Sequence, residues 1–251
     1  MASFNPSRQS INWLFLEGVA IVISILLAFW IDAWWGERQQ RDDERVVLQS
    51  LLDDLRQKKV TLAADRRHRE AVLESTTKLL RAATDADHRL SNDEIDSLIG
   101  GISWYEGESA WESAPLNSLM MGGSSSLVSN VMLLQKLSSL HVSITRLRYD
   151  YRNEERFHHN ILIPYLIYNA NLAQINMSIE HEPGDPEMRY FFPEIKISTP
   201  RNHSELLSRA EFQSLLAAKI DLYGDLFRPG YLSVEEPLDE AIALLEVELT
   251  R

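Results

Sequence analysis

Residues Trp13–Trp35 read WLFLEGVAIVISILLAFWIDAWW, and this stretch decides the fold. Its uninterrupted apolar run, Gly18–Ile31, has 14 residues, and Trp13–Leu16 extend it to 19 residues that contain one charge, Glu17. Nineteen residues form roughly 28 Å of α-helix, close to the ~30 Å hydrocarbon core of a bilayer. Tryptophans stand at both ends, where interfacial aromatic side chains are expected. We therefore predict a single transmembrane helix over residues 11–35.

Two other interpretations of this segment are a cleaved signal peptide and a buried core helix. A signal peptide fits poorly, because the N-terminal tail (residues 1–10) holds one basic residue, Arg8, and no small-x-small cleavage site precedes Ile31–Trp35. The core helix of a soluble protein is the remaining alternative. The length of the segment and its tryptophan flanks favour the transmembrane helix.

Small residues recur every four positions along one face of the predicted span. They are Ala20, Ser24 and Ala28, and the row continues through Asp32 and Gly36. Small residues at this spacing let a second helix approach closely, which in lipid substitutes for a missing hydrophobic driving force. The row therefore predicts a helix-packing face, although small residues are also common in spans that pack against nothing.

A carboxylate stands near each end of the span, Glu17 and Asp32. A charge inside the hydrocarbon region is costly, and it marks an intramembrane site or a polar contact with a partner. The alternative for Glu17 is a carboxylate near the headgroups that is protonated or reaches water. Together with the small-residue row, both carboxylates complete a predicted partner-binding set for another integral membrane protein or a second copy of the chain.

The charges that flank the span give conflicting indications of its orientation. Before the span stand Arg8 and the amino terminus, and after it stand Arg38, Arg41 and Arg45. Counted literally, this distribution places the C-terminal domain in the cytoplasm. Four carboxylates within residues 37–44 surround the downstream arginines, however, so these do not form a strongly positive block.

The pattern of this segment extends beyond the span itself. Glu17 is followed by Ser24–Ala28 (SILLA), then by Ile31-Asp32 and Trp34, and the next charged helix contains Leu-x-x-Leu within Gln49–Leu55. This signature resembles that of a family of functionally uncharacterised bacterial single-span membrane proteins, defined only as a domain of unknown function. The resemblance implies an inner-membrane protein with its N-terminus in the cytoplasm and its bulk outside, and it implies no activity.

The overall composition limits what the rest of the protein can do. The 251 residues include 25 Lys+Arg, 37 Asp+Glu and no cysteine, for a net charge of −12. After the span, 24 basic and 35 acidic residues give the domain 36–251 a charge near −11. Such a domain is expected to bind neither nucleic acid nor anionic lipid headgroups strongly. The absence of cysteine excludes disulfides, thiolate metal sites and cysteine nucleophiles.

The spacing of apolar residues after the span predicts long helices. From about residue 37 to residue 83 they recur at steps of three and four without Gly or Pro, which predicts one helix of roughly 70 Å. A second long helix is predicted over about 131–162, with Pro164 bending or ending it. Further predicted elements are an irregular loop over about 179–203 and helices over about 209–227 and 237–249. The predicted fold class is all-α: one transmembrane helix that continues into an antiparallel helical bundle.

Two capping motifs refine the boundaries of these helices. Ser91 and Glu94 have the spacing of a capping box, which predicts the start of a short helix that ends at Gly100-Gly101. Ser208 and Glu211 repeat the spacing, which predicts the start of a C-terminal helix.

Signatures of catalysis are scarce in this sequence. It contains no Gly-rich phosphate loop, no nucleophile elbow and no His-Glu-x-x-His motif. Glu155 and His158 have the Glu-x-x-His spacing of carboxylate-bridged di-iron bundles, but the second such pair is missing. We therefore predict no catalytic, cofactor or metal site. His158 is instead expected, together with Glu154, as a polar residue at an inward heptad position of the second long helix.

An aromatic segment stands out in the soluble part. Trp104 and Trp111 bracket most of the nine-residue stretch WYEGESAWE, which also holds one tyrosine and three glutamates. The two tryptophans are candidates for a partner-binding patch, because aromatic side chains dominate interface energetics. The alternative is that they bury their rings and close one end of the bundle.

These features favour a non-enzymatic single-pass protein of the bacterial inner membrane. Its soluble domain, placed in the periplasm, would be an accessory subunit or scaffold of a membrane protein complex. The predicted partners are the lipid bilayer and another integral membrane protein or a copy of the chain itself. Two alternatives are an extracytoplasmic ligand-sensing helical domain and a metal-binding helical-bundle enzyme.

Overall fold

A computed structural model describes residues 8–85, 87–103, 112–122, 124–173, 175 and 203–250, with the side chains of the first helix described from Glu17 onward. Trp104, Trp111, most of the N-terminal tail and nearly all of the predicted loop 179–203 lie outside the described residues.

The first helix, α1, joins the predicted span to the bundle without a break. It runs over Arg8–Thr84, 77 residues in all. Every residue from Glu17 to Asp43 is exposed, and the first buried side chain is Glu44. From there to Leu79 the buried positions recur at steps of three and four, as the sequence predicted. They are Glu44, Leu48, Leu51, Leu52, Leu55, Leu62, Asp65, Arg69, Val72, Thr76 and Leu79.

The rest of the described chain is helical and contains no strand, which confirms the all-α class. Its helices are α2 (Asn92–Ser103), α3 (Ala114–Met121), α4 (Val131–Phe157), α5 (Ile163–Asn169), α6 (His203–Ser208), α7 (Ala210–Asp225) and α8 (Leu232–Leu249). Two π-helical turns, His158–Leu162 and Leu226–Tyr231, join α4 to α5 and α7 to α8. The bundle therefore consists of three long rods: the second part of α1, α4–α5 and α7–α8.

Contacts between the rods fix their directions. Lys59 pairs with Asp239 and Arg56 with Glu246, each at 2.7 Å, so α8 runs antiparallel to α1. The α4 rod runs parallel to α1, because Glu44 contacts Ser129 near one end, and Arg69 contacts Glu154, again 85 positions apart, farther along. The segment that contains α2 and α3 returns the chain to the end of the bundle nearest the predicted span, where α4 begins.

The π-turns carry two helices past prolines at which the sequence predicted interruptions. The first turn stands just before Pro164, and the second contains Pro229. A π-turn holds one more residue than an α-turn, so it changes which side chains face inward. After the first turn Leu162 is buried and Ile161 is 49% exposed, the reverse of a continued heptad.

One capping box is confirmed and the other, predicted at Ser208, is wrong, because α7 begins after Arg209 without a side-chain cap. Glu94 Oε2 accepts hydrogen bonds from the backbone N–H (2.7 Å) and hydroxyl (2.8 Å) of Ser91, and α2 begins directly afterwards. The helix continues through Gly100-Gly101 to Ser103, and a Cβ on Gly101 would lie 3.4 Å from the Ser75 hydroxyl oxygen. Ser208 ends α6, because its hydroxyl donates to the carbonyl oxygen of Glu205 at 2.8 Å.

The interior of the bundle is divided along its length into two apolar cores. The core nearer the predicted span is formed by Leu48–Leu62 of α1 with residues of α3, α4 and α8. The distal core is formed by Val72–Leu79 of α1 with residues of α2, α5, α6 and α7. On α1, Asp65 and Arg69 are the buried residues that separate the two cores.

Candidate functional site

The predicted partner-binding residues of the span share one uncovered helix. Glu17, Ala20, Ser24, Ala28 and Asp32 are all exposed, and no other described part of the chain packs on them. The Ser24 hydroxyl donates to the Ala20 carbonyl oxygen at 2.8 Å, so it is satisfied within the helix. The face therefore presents small side chains along its middle and carboxylates at its two ends.

The side chains of Glu155 and His158, the Glu-x-x-His pair, do not share a metal-binding site. Glu155 is half-buried, whereas its neighbour Glu154 faces the bundle axis beside Arg69. His158 is buried, and burial, the nearby Lys219 ammonium and His159 together lower its pKa to about 4. Within the described ranges, no group of three or more His, Asp and Glu side chains has a metal-binding arrangement.

The chemically unusual part of the bundle is a buried ionic layer between the two cores, which the sequence did not predict as a site. At its centre lies Arg69, only 2% exposed. Its Nε donates to Asp65 Oδ1 at 3.1 Å, and its Nη1 donates to Glu154 Oε2. Burial alone would lower the pKa of the guanidinium, but Glu154, Tyr151, Asp65 and Tyr231 together outweigh burial and raise this pKa above its usual value. Arg69 thus stays charged and joins α1 to α4.

Three tyrosines complete the hydrogen bonding of the two carboxylates. Tyr151 and Tyr231 both donate to Asp65, and their hydroxyl oxygens lie 2.8 Å apart. Tyr223 donates to Glu154 Oε1 at 2.6 Å. Burial raises the pKa of all three hydroxyls, so they remain neutral donors.

A second cation, Lys219, lies at the edge of the layer. Its Nζ is 4.0 Å from Glu154 Oε1 and 5.2 Å from the centre of the Tyr223 ring. It is fully buried, and the described part of the chain offers its ammonium no hydrogen-bond acceptor. Burial lowers the pKa of Lys219 to about 8, with Glu154 opposing the shift. The layer therefore places two carboxyl groups, those of Asp65 and Glu154, beside Arg69 and Lys219.

The second π-turn is what brings the third rod into this layer. It turns Tyr231 inward toward Asp65, while Gly230 packs closely on α4. A Cβ on Gly230 would lie 3.0 Å from Leu147 Cδ1, so this approach favours glycine.

The ionic layer holds the rods in register and is closed to solvent. Buried polar groups must find one another, since each unpaired charge in an apolar interior costs several kcal/mol. Each rod contributes charged or tyrosine side chains, so sliding one rod would separate the partners. The signal available in the sequence was weak: Asp65, Arg69, Glu154 and His158 occupy inward positions among leucines. Asp65 and Arg69 have the i, i+4 spacing of an ordinary helix ion pair, and the contact between Arg69 and Glu154 spans 85 positions and leaves no local pattern.

A smaller buried pair lies in the distal half of the bundle. His203 Nε2 of α6 is 2.9 Å from Asp96 Oδ1 of α2, and both side chains are buried. The pair ties together two short helices on the same side of α1.

The chain matches no family model, no curated protein and no solved structure. The resemblance of the span to a family of uncharacterised membrane proteins therefore stays a prediction. What the described residues define is an all-α protein with one helix near the N-terminus that is long and apolar enough to cross a membrane.

Proposed function

We propose that this chain is a single-pass inner-membrane protein, anchored by residues 11–35, whose acidic bundle is an accessory subunit or scaffold of a membrane protein complex. The observation that carries the proposal is the complete exposure of the apolar part of α1, which has a mean hydropathy of 1.9. The core helix of a soluble protein would bury such a surface, whereas a span leaves it to lipid or to a partner helix.

The bundle itself supports a structural role over a catalytic one. Its concentrated ionisable groups, Arg69, Glu154 and Lys219, are buried, and Arg69 is paired with Glu154, so a substrate has no access to them. Scaffolds need a stiff body with a defined register, and the ionic layer supplies both. The anchor and the bundle share one helix, so a partner held in the membrane also positions the bundle.

The small-residue row gives the first test of this proposal. Replacing Ala20, Ser24 and Ala28 together by leucine should lower the association constant of the protein by about tenfold or more, because bulky side chains prevent the close approach on which van der Waals packing between membrane helices depends. The measurement is native gel electrophoresis of the full-length protein in mild detergent, which separates assembled protein from free protomer.

A matched control lies on the opposite face of the same helix. The double variant Val22→Leu and Ala33→Leu adds about half as much bulk, about half a turn away, and should leave assembly unchanged. If the triple variant assembles as well as the wild type, the row is not a contact surface.

We further propose that the bundle lies outside the cytoplasm, as the signature of the span implies. The chain has no cysteine, so a single introduced thiol reports its own location. Arg89 suits this purpose because it is exposed at the distal end, whereas Ser91 caps α2. Arg89→Cys should react with a membrane-impermeant maleimide on intact cells, and Ser3→Cys should react only after permeabilisation. The reverse pattern would place the bundle in the cytoplasm.

A further inference from the structure

A cavity opens where α1 leaves the bundle, beside the end of the last helix. It has a volume of about 470 Å³ and is lined by Trp34, Arg38, Arg41 and Arg45 of α1 and by Leu249 of α8, among others. The four α1 residues recur at steps of four, three and four, so they share one face of the helix. The cavity thus combines an aromatic ring with three guanidinium groups.

The position of this cavity along α1, just after Trp34, places it at the membrane surface when residues 11–35 span the bilayer. Arg38 and Arg41 follow Trp34 by about 6 and 10 Å along the helix, at ~1.5 Å per residue. Headgroup layers extend roughly 5–8 Å beyond the hydrocarbon core, whose edge tryptophans mark. With Trp34 at that edge, Arg38 stands at the level of the lipid phosphates, and the long Arg41 side chain, which tilts toward the N-terminus of the helix, reaches back toward them.

Two of the three arginines keep donors available for a ligand. The Arg38 guanidinium lies 5.8 Å from the centre of the Trp34 ring, and the described residues give it no carboxylate partner. Arg41 makes two long contacts with Glu37, from Nε to the carbonyl oxygen at 3.4 Å and from Nη2 to Oε2 at 3.5 Å, and both side chains are 71% exposed. Arg45 is engaged, because its Nη2 donates to the Leu249 carbonyl oxygen at 3.0 Å and holds the end of α8 in place.

The lining also contains three carboxylates, two of which accept hydrogen bonds from neutral donors. Glu44 accepts hydrogen bonds from the backbone N–H (2.6 Å) and hydroxyl (2.9 Å) of Ser129, and Glu248 accepts one from Asn130 at 2.6 Å. Asp42 also lines the cavity. Its charge disfavours a phosphate monoester of charge about −2 more than a phosphodiester, which carries a single negative charge.

We propose that this cavity binds the phosphodiester of a membrane glycerophospholipid, held by Arg38 and Arg41. The inference rests on the proposed membrane anchoring, which brings the lipid to the site. Arginine forks match phosphate oxygens with paired, charge-assisted hydrogen bonds. The lining combines the three arginines with Asp42, Glu44 and Glu248, so paired hydrogen bonds from the Arg38 and Arg41 forks, and not an excess of positive charge, hold the phosphate.

The test is lipid binding to the full-length protein in mild detergent, followed by native mass spectrometry with added dihexanoyl-phosphatidylglycerol. We expect the double variant Arg38→Gln and Arg41→Gln to bind this lipid roughly 30-fold more weakly than the wild type, given the contribution of two basic residues at an anionic headgroup. The double variant Arg67→Gln and Arg81→Gln removes the same charge from exposed positions of α1 inside the bundle. It should bind like the wild type.

Parallel titrations with inorganic phosphate and glycerol 3-phosphate identify the source of the phosphate. Both should bind at least tenfold more weakly than the lipid; equal binding would make this a site for a soluble phosphate and overturn the proposal. Equal lipid binding by the two double variants would overturn it as well. Alkaline carbonate extraction of wild-type membranes is the separate readout for the anchor: release of the protein refutes the anchor, whereas retention without selective binding refutes only the lipid site.

Discussion

Replacing Arg69 by methionine should destabilise the bundle by about 3–5 kcal/mol, the usual cost of removing one partner from a buried ion pair. The substitution leaves Asp65 and Glu154 in the interior with only Lys219, 4.0 Å from Glu154, as a counter-charge. It also removes the guanidinium that lies 4.2 Å from the centre of the Tyr151 ring. Urea unfolding of the full-length protein in detergent measures the change.

Arg67→Met is the matched control for this prediction. Arg67 is exposed on the same helix two positions away, and its loss should change the free energy of unfolding by no more than about 0.5 kcal/mol. Adding Glu154→Gln to the Arg69 variant should restore part of the lost stability, because it removes one unpaired charge. Equal urea midpoints for Arg69→Met and Arg67→Met would mean that the ionic layer does not stabilise the bundle.

Acid should weaken the bundle through His158. Burial, Lys219 and His159 lower the pKa of this imidazole to about 4, against about 6.5 in the unfolded chain. Between these two values the unfolded state binds more protons, so stability is complete above pH 6.5 and falls as the pH drops toward 4. The loss attributable to this one group is about 2–3 kcal/mol.

The variant His158→Gln isolates this contribution from that of the carboxylates. The difference in the free energy of unfolding between pH 7 and pH 4 should shrink by about 2–3 kcal/mol relative to the wild type. His88→Gln, at an exposed histidine near the distal end of α1, should retain the full acid dependence. An unchanged dependence in His158→Gln would show that this imidazole becomes protonated within the folded bundle without cost.

Much of the fold was predictable because helix signals are local. The three- and four-residue spacing of Leu48–Leu79 and the capping box at Ser91 depend on neighbours within one or two turns, and both match the structure. The continuation of helices past Pro164 and Pro229 was not predictable in this way. A proline lacks the N–H for the α-helical bond, so it normally ends a helix, and a π-turn that accommodates it depends on packing from other rods.

The ionic layer was harder to predict because its contacts join residues that are far apart in the sequence. Arg69 and Glu154 each read as a polar residue on an otherwise apolar face, a pattern also produced by a side chain that reaches solvent at the edge of a core. Their pairing requires that α1 and α4 run parallel with a fixed offset, which only the assembled bundle defines. The lining of the membrane-proximal cavity likewise depends on where α8 ends.

Because α1 is unbroken, any tilt of the proposed span also tilts the bundle. From Trp35 to Thr84 the helix extends roughly 74 Å, and the Arg45–Leu249 contact clamps the last helix to it where it enters the bundle. A change of about 10° in the tilt of the span would move the far end by roughly 13 Å, within the range of tilts that membrane helices adopt. The tilt of the proposed span can be set by a partner or by a change in bilayer thickness. That tilt then determines how far the distal end lies from the membrane normal through the span.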